Sequence, residues 1–294
     1  MTRFILDSGN PQEYESIVKL AHNHGSEIWG STTNPSLIAK KLSESGKKLT
    51  LDEAFALQKD IVMQILMLVP GAVSAEVYAD TETKADEMVE QGLEIAAWDE
   101  RVVIKIPTTI EGFKARTQLR KKNITINNTL VFSQQQIYAI CLHEHLVQKE
   151  FNAMSKWPCF ISPFLGRLDD IGEDGTALVK NGMQQKKHFQ EELWMLAASI
   201  RSTRHLADSI DLGTELITAP AKVYTEWFEG GQKPSEKTEG LKVPPLWQPI
   251  ETIEEIESLE NFMLALENKT LDISHSLTDK GIIKFTEDWQ GILK

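Results

Sequence analysis

The sequence predicts an α/β protein: a parallel, eight-stranded barrel ringed by helices, with a C-terminal helical extension. Three observations carry this expectation. Short apolar, β-branched runs alternate with segments of helical periodicity roughly eight times over about 230 residues. Polar residues collect at the C-terminal ends of those runs, where a barrel of this kind places its active site. The alternative, an open doubly wound sheet, usually carries a glycine-rich phosphate loop after its first strand, and LDSGNPQE is not one.

FILDS (Phe4 to Ser8) is the first strand, with Asp7 near its C-terminal end. Asn10 can cap the following helix, Pro11 suits its first turn and Gly25 ends it. A second strand runs from Glu27 to about Thr32. Thr33 and Asn34 then turn the chain, and Pro35 opens a helix. Residues 43–50 read as a polar loop and Leu51 to Leu68 as a long helix, with Pro70 and Gly71 as punctuation. Val73 to Ala79 is the third strand, with Glu76 on the face of Ser74 and Tyr78. A helix over 82–98 leads to the fourth strand, RVVIKIPTT from Arg101 to Thr109. The helix Ile110 to Lys122 precedes strand five, ITINNTLV, where Asn127 and Thr129 share a face. The helix Gln134 to Phe151 precedes strand six, WPCFISPFLGR, with Ser162 facing as Phe160 and Phe164 do. Helix Met183 to Trp194, strand MLAASIR, helix Ser202 to Ile210, strand ELITAP and helix Ala221 to Phe228 complete a (β/α)8 TIM barrel.

Residues 1–229 are thus expected to form the catalytic barrel, and 230–294 a linker and helical extension packed on the barrel or on a partner subunit. Gly230 to Gly240 reads as a surface linker, Glu251 to Asn268 as an acidic helix, and SLTDKGIIKFTEDWQGIL as an amphipathic end segment. Phe285 and Trp289 are expected to anchor that segment. Folded over the barrel mouth, it would exclude water from the site.

Length and charge narrow the function classes. A chain of 294 residues can bury a sizeable core, and 41% apolar with 25% charged residues is ordinary for a globular protein. The net charge of −12, without a basic patch, argues against nucleic acid as a partner. The most apolar run, Ile61 to Val69, is too short to span a membrane. Cys141 and Cys159 have neither metal nor redox spacing and fit reduced thiols in the cytoplasm, and the N-terminus offers no signal peptide. His22, His24, His143 and His145 lack carboxylate or cysteine partners at ligand spacing, so no metal is expected.

Lys105 stands in the middle of an apolar strand. If both faces are covered, burying an unpaired amine is costly, which favours its neutral, nucleophilic form. The alternative is a strand-end lysine that snorkels to water. Asp7, Glu76, Asn127, Thr129, Ser162, Ser199 and Arg201 also fall within or at the ends of strands. Each alone has a structural reading: Asp7 could cap the first helix, Thr129 satisfy a backbone group, and Ser199 fill the core. Together they supply a nucleophilic amine, two carboxylates for proton transfer, amides and hydroxyls for a polyol and, with Arg167, two guanidiniums for a phosphate.

These blocks resemble the transaldolases: DSGN at Asp7, STTNPSLI at Ser31, VSAEV at Val73, VVIKIPTTIEG at Val102, INNTLVFSQQQ at Ile126 and ISPFLGR at Ile161. LTDKGIIKFTEDW near the end is similar to the related small aldolases. The resemblance implies that Lys105 forms a Schiff base with a ketose phosphate such as fructose 6-phosphate. Asp7 would be the base at the C4 hydroxyl, and Glu76 and Thr129 would hold the catalytic water. Asn34 and Asn127 would bind hydroxyls of a dihydroxyacetone unit, and Ser162, Arg167, Ser199 and Arg201 the phosphate. It implies sugar phosphates as partners and no cofactor, and leaves open a homo-oligomer. The related fructose 6-phosphate aldolases have Gln where this chain has Glu76 and Tyr where it has Phe164, so both positions resemble the transferase branch. The chain departs from the family at CLHEHLVQKEFNAMSKWPC, where a compact turn is usual. It also departs at Ile200, where an aromatic often precedes the arginine, and after Gly230. The first departure is expected to be a longer helix and loop on the face away from the site.

Overall fold

The computed structural model describes residues 2–44, 46–248 and 256–294. Among them, β1 (Arg3–Asp7), β2 (Ile28–Thr32), β3 (Val73–Glu76), β4 (Val102–Pro107), β5 (Ile126–Val131), β6 (Cys159–Pro163), β7 (Leu193–Ala197) and β8 (Leu216–Ala219) pair in parallel, each with the next. The sheet closes where Arg3 to Leu6 pairs with Leu216 to Ala219. Closure removes the two sheet edges that an open fold must protect.

The strands are buried on both sides because helices cover the outer face and side chains fill the inner one. β4 and β5 are buried at every residue. Connecting helices are α1 (Pro11–Asn23), α2 (Pro35–Ser43), α3 (Leu51–Leu66), α4 (Ala85–Ala96), α5 (Ile110–Arg120), α6 (Gln134–Phe151), α7 (Leu165–Asp169), α8 (Gly175–Phe189), α9 (Thr203–Asp211) and α10 (Ala221–Glu229). Asn10, Asn34, Thr50, Thr109, Ser133, Asp174 and Ser202 each accept a backbone N–H in the first turn of the helix that follows. Such a cap contributes about 1 kcal/mol. The N-terminal end of the barrel is filled by aromatic rings. Trp194 stacks on Phe160 at 5.7 Å, Trp29 meets Trp157 and Trp194 edge-on, and the Arg3 guanidinium lies 4.8 Å from the Trp194 ring.

Beyond the barrel, α11 (Leu259–Glu267) packs on α5 and α6, with Phe262 edge-on to Phe113 at 5.1 Å. α12 (Ser276–Gln290) packs on α2 and β5. The Thr278 hydroxyl donates to the Leu130 carbonyl at 3.0 Å and accepts from Gln136 at 2.9 Å. Gly281 permits this approach, since a Cβ there would lie 2.6 Å from Leu130 Cδ2.

Several sequence expectations shift. β3 ends at Glu76 rather than Ala79, because Tyr78 gives its N–H to Gln91 and Asp80 organises a turn through Glu82 and Thr83. Tyr78 therefore leaves the face that Ser74 and Glu76 share. β6 stops at Pro163, and Phe164 to Arg167 turn into α7. α8 starts at Gly175, not Met183, since Asp174 caps it. Gln190 ends it in a left-handed conformation, and Trp194 belongs to β7. β7 stops at Ala197 rather than Arg201, because Ser199 takes a left-handed φ of 54°. The acidic helix is α11; residues 251–255 of its expected span lie outside the described residues. The atypical segment after β5 is a long α6 followed by a loop at 152–158.

Candidate active site

Parallel strands bring their C-terminal ends to one mouth, and the side chains there line a cavity of about 200 Å³. Asp7, Asn34, Lys105, Asn127, Thr129, Ser162, Phe164, Arg167, Ser199 and Arg201 all lie on its wall. Glu76, the remaining sequence-predicted residue, stands against the Lys105 amine. A larger cavity of about 700 Å³ lies beside α3, α4 and the end of α12. Its lining includes Glu76 and Tyr78 but not Lys105.

Register explains the central pair. Glu76 on β3 is the direct neighbour of Lys105 on β4, and Lys105 is the neighbour of Asn127 on β5. The Lys105 Nζ lies 2.8 Å from Glu76 Oε2 and donates to the Thr33 carbonyl at 2.8 Å. Only 4% of Lys105 is exposed, so the amine does not snorkel to water. Burial pushes the Glu76 carboxyl above the usual carboxylate range, with the Lys105 charge opposing. The same holds for Asp7, where burial raises the proton affinity and Lys105, the Thr32 hydroxyl and Arg167 oppose. Two carboxyls that hold protons beyond their ordinary range, beside a buried amine, are suited to proton transfer.

Asn10, not Asp7, caps α1, accepting the Gln12 N–H at 3.3 Å. Asp7 Oδ1 instead accepts the Thr32 hydroxyl at 2.7 Å, and Thr32 lies 2.6 Å from the Thr218 hydroxyl. Thr129 Oγ1 is buried and finds no hydrogen-bond partner among the described residues, so it satisfies no backbone group. An orphaned buried hydroxyl on the wall of a polar cavity is an expected mark of a site made for water or substrate. Asn127 donates to Ser74 at 3.1 Å and accepts from Ser162 at 2.6 Å. Asn34 uses its oxygen to cap α2, accepting the Leu37 N–H at 3.0 Å, which leaves its amide hydrogens for a ligand.

The cationic side of the cavity is built from α7 and the loop after β7. The Arg167 guanidinium lies between two rings, 5.1 Å from Phe164 and 5.4 Å from Phe285. Phe285 is thus a wall residue of the cavity and not merely an anchor of the tail, whereas Trp289 lines the outer cavity. Arg201 pairs with Asp170 at 3.0 Å. Gly166 has to be glycine, because a Cβ would sit 2.4 Å from the Ser199 carbonyl and 2.3 Å from Arg201 Cγ.

Sequence reasoning passed over Thr32, Thr33, Ser74, Thr218 and the wall role of Phe285. Their chemistry is ordinary, and only closure of the barrel brings Thr218 to Thr32. The histidines singled out in the sequence lie elsewhere: His143 packs on Phe113 and Phe262 and bonds to Thr117, and His145 bonds to Glu191. Among the described residues no cluster of His, Cys, Asp or Glu could hold a metal ion, and no helix is long and apolar enough to cross a membrane.

Comparison with known proteins points to one family. The family model described as "Transaldolase/Fructose-6-phosphate aldolase" matches residues 4–294. A "Probable transaldolase" of Herpetosiphon aurantiacus is 32% identical, covering 99% of this chain and 96% of its own. A "Probable transaldolase 2" of Listeria monocytogenes is 31% identical over 98% of this chain and 96% of its own. For a "Probable transaldolase" of Brevibacillus brevis the figures are 30%, 99% and 100%.

Proposed function

Because the chain belongs to the transaldolase/fructose-6-phosphate aldolase family, we propose that it transfers a dihydroxyacetone unit from fructose 6-phosphate or sedoheptulose 7-phosphate to erythrose 4-phosphate or glyceraldehyde 3-phosphate. The observation that carries the reading is the buried Lys105 amine held 2.8 Å from Glu76, on the wall of a cavity that also presents Asp7 and two arginines.

In this reading Lys105 passes a proton to the Glu76 carboxylate 2.8 Å away, the freed amine attacks the C2 carbonyl, and loss of water gives an iminium. The water is held between Glu76 and the orphaned Thr129 hydroxyl, so protons pass through the carboxyl as the Schiff base forms and later hydrolyses. Asp7 takes the proton of the C4 hydroxyl while the C3–C4 bond breaks. The electron pair goes into the iminium and is stored as an enamine, and the aldose phosphate departs. An acceptor aldehyde then regains the bond in the reverse sense, and hydrolysis frees Lys105. Asn34 and Asn127 offer amide hydrogens to the three-carbon unit. Ser162 has its proton engaged by Asn127, so it offers lone pairs and fits a substrate hydroxyl better than a phosphate. Arg167, Ser199 and Arg201 hold the phosphate.

Retention of the enamine, rather than release of free dihydroxyacetone, is favoured by Glu76, which can change charge beside the water as an amide cannot. Phe164 supports the same branch. The buried thiols Cys141 and Cys159 fit residence in a reducing cytoplasm.

The test is a coupled assay with fructose 6-phosphate, with and without erythrose 4-phosphate, alongside Lys105→Ala and borohydride trapping. The reading expects glyceraldehyde 3-phosphate only with the acceptor, and neither turnover nor trapping in the variant. Steady release of dihydroxyacetone without acceptor would place the enzyme on the aldolase branch instead.

A further inference from the structure

His205, buried at 6% exposure on α9, does not line the cavity, yet it is wired to the loop that does. Its Nδ1 accepts the backbone N–H of Arg201 at 3.2 Å, and its Nε2 lies 2.8 Å from Asp169 Oδ2 at the end of α7. Accepting at Nδ1 places the proton on Nε2, where the Asp169 carboxylate receives it. The other oxygen of Asp169 accepts the N–H of Gly175 at 3.1 Å, so the carboxylate is itself fixed. The loop needs such a tether. Ser199 holds a left-handed φ of 54°, a strained conformation for a non-glycine residue. The Ser199 carbonyl accepts from the Gly166 N–H at 2.9 Å and the Ala198 carbonyl from Leu165 at 3.0 Å. Past those two bonds, the backbone of Arg201 is tied to α7 through His205 and Asp169, and its side chain through Asp170.

We propose that His205, oriented by Asp169, is the positioning residue of the phosphate cradle: it holds the Arg201 backbone so that Ser199 and Arg201 face the same anion as Arg167. The inference rests on the reading of those three residues as the phosphate site. The competing view is that His205 is only a helix-capping residue, since its own N–H bonds to Ser202 at 3.3 Å.

Isosteric variants of the full chain separate the two. In His205→Asn the amide oxygen falls near the place of Nδ1 and keeps the Arg201 N–H. In His205→Gln the amide nitrogen falls near Nε2 and keeps Asp169 but abandons Arg201. Asp169→Asn presents a donor to Nε2, which drives the imidazole proton to Nδ1 and against the Arg201 N–H. Three quantities are measured below the melting temperature of each variant: the KM for fructose 6-phosphate, the inhibition constant of inorganic phosphate, and borohydride trapping of dihydroxyacetone, which has no phosphate. The proposal expects His205→Gln and Asp169→Asn to raise KM and the inhibition constant about tenfold with trapping unchanged, and His205→Asn to stay within about threefold of the parent. Unaltered KM and inhibition constant with a lowered melting temperature would make His205 a cap only and overturn the proposal. Failure of the parent protein to trap dihydroxyacetone would instead overturn the Schiff-base reading, and this inference with it.

Discussion

Asp7→Asn should stabilise the protein at neutral pH while removing its activity. The amide keeps the oxygen that accepts the Thr32 hydroxyl at 2.7 Å, so the Thr32–Thr218 link survives. What disappears is a desolvated charge. Burial raises the Asp7 carboxyl above its ordinary value of 3.8 despite Lys105 and Arg167, so the fold as a whole disfavours the ionised form. In acid below that ordinary value, both the folded and unfolded chains carry the proton, and parent and variant should be alike. As pH rises, the unfolded chain ionises first, and the parent loses stability relative to the variant until the folded carboxyl also ionises. Once it has, the gap is complete and stays constant with further rise in pH. Substitutions that relieve a strained functional group commonly yield about 0.5–2 kcal/mol. Each kcal/mol corresponds to roughly 2–4 °C in melting temperature for a chain of this order of size. Urea unfolding of both proteins across the range from pH 5 to 8 measures the gap, and the coupled assay at pH 7.5 measures the loss, expected at about 10²–10⁴ in kcat. A variant less stable than the parent at neutral pH, or a gap that widens toward acid, would mean that Lys105 and Arg167 outweigh burial. Near-normal kcat would remove Asp7 from the role of base.

Other substitutions test separate parts of the site. Thr129→Val exchanges an unpartnered hydroxyl for a methyl of similar volume. Stability in urea should hold or rise by about 1 kcal/mol, while borohydride trapping slows at least about tenfold; unchanged trapping would leave the hydroxyl without a role. Arg167→Lys keeps the charge but loses the flat guanidinium between Phe164 and Phe285. The KM for fructose 6-phosphate should rise about 10–100-fold with a smaller change in kcat, and an unchanged KM would count against a phosphate role. Phe285→Ala opens the wall contributed by α12 and removes a buried ring. A loss of about 3–5 kcal/mol in urea unfolding and faster acceptor-independent release of dihydroxyacetone are expected, and tight retention of the enamine would exclude a shielding role for this helix.

The strand–helix alternation, the burial of Lys105 and the chemical composition of the site were legible in the linear chain, because each depends on spacing that the backbone imposes. A period of two puts Asn127 and Thr129 on one face of their strand whatever the helices outside do, and a cap such as Asn10 announces a helix start locally. Element ends were less legible: β3 and β7 stop where Asp80 gathers a turn and where Ser199 turns left-handed, choices settled by side-chain bonds and loop packing. Relations between distant segments were decided only in three dimensions. Direct register between β3 and β4 sets Glu76 against Lys105, closure between β8 and β1 brings Thr218 to Thr32, and α12 carries Phe285 to Arg167. Tertiary packing likewise joins Asp169 to His205 and to the loop after β7. A sequence declares which groups are available and which way a strand points them. Which partner meets each group across the barrel follows from strand register and helix docking, because those are set by the packing of the whole core and not by any local stretch.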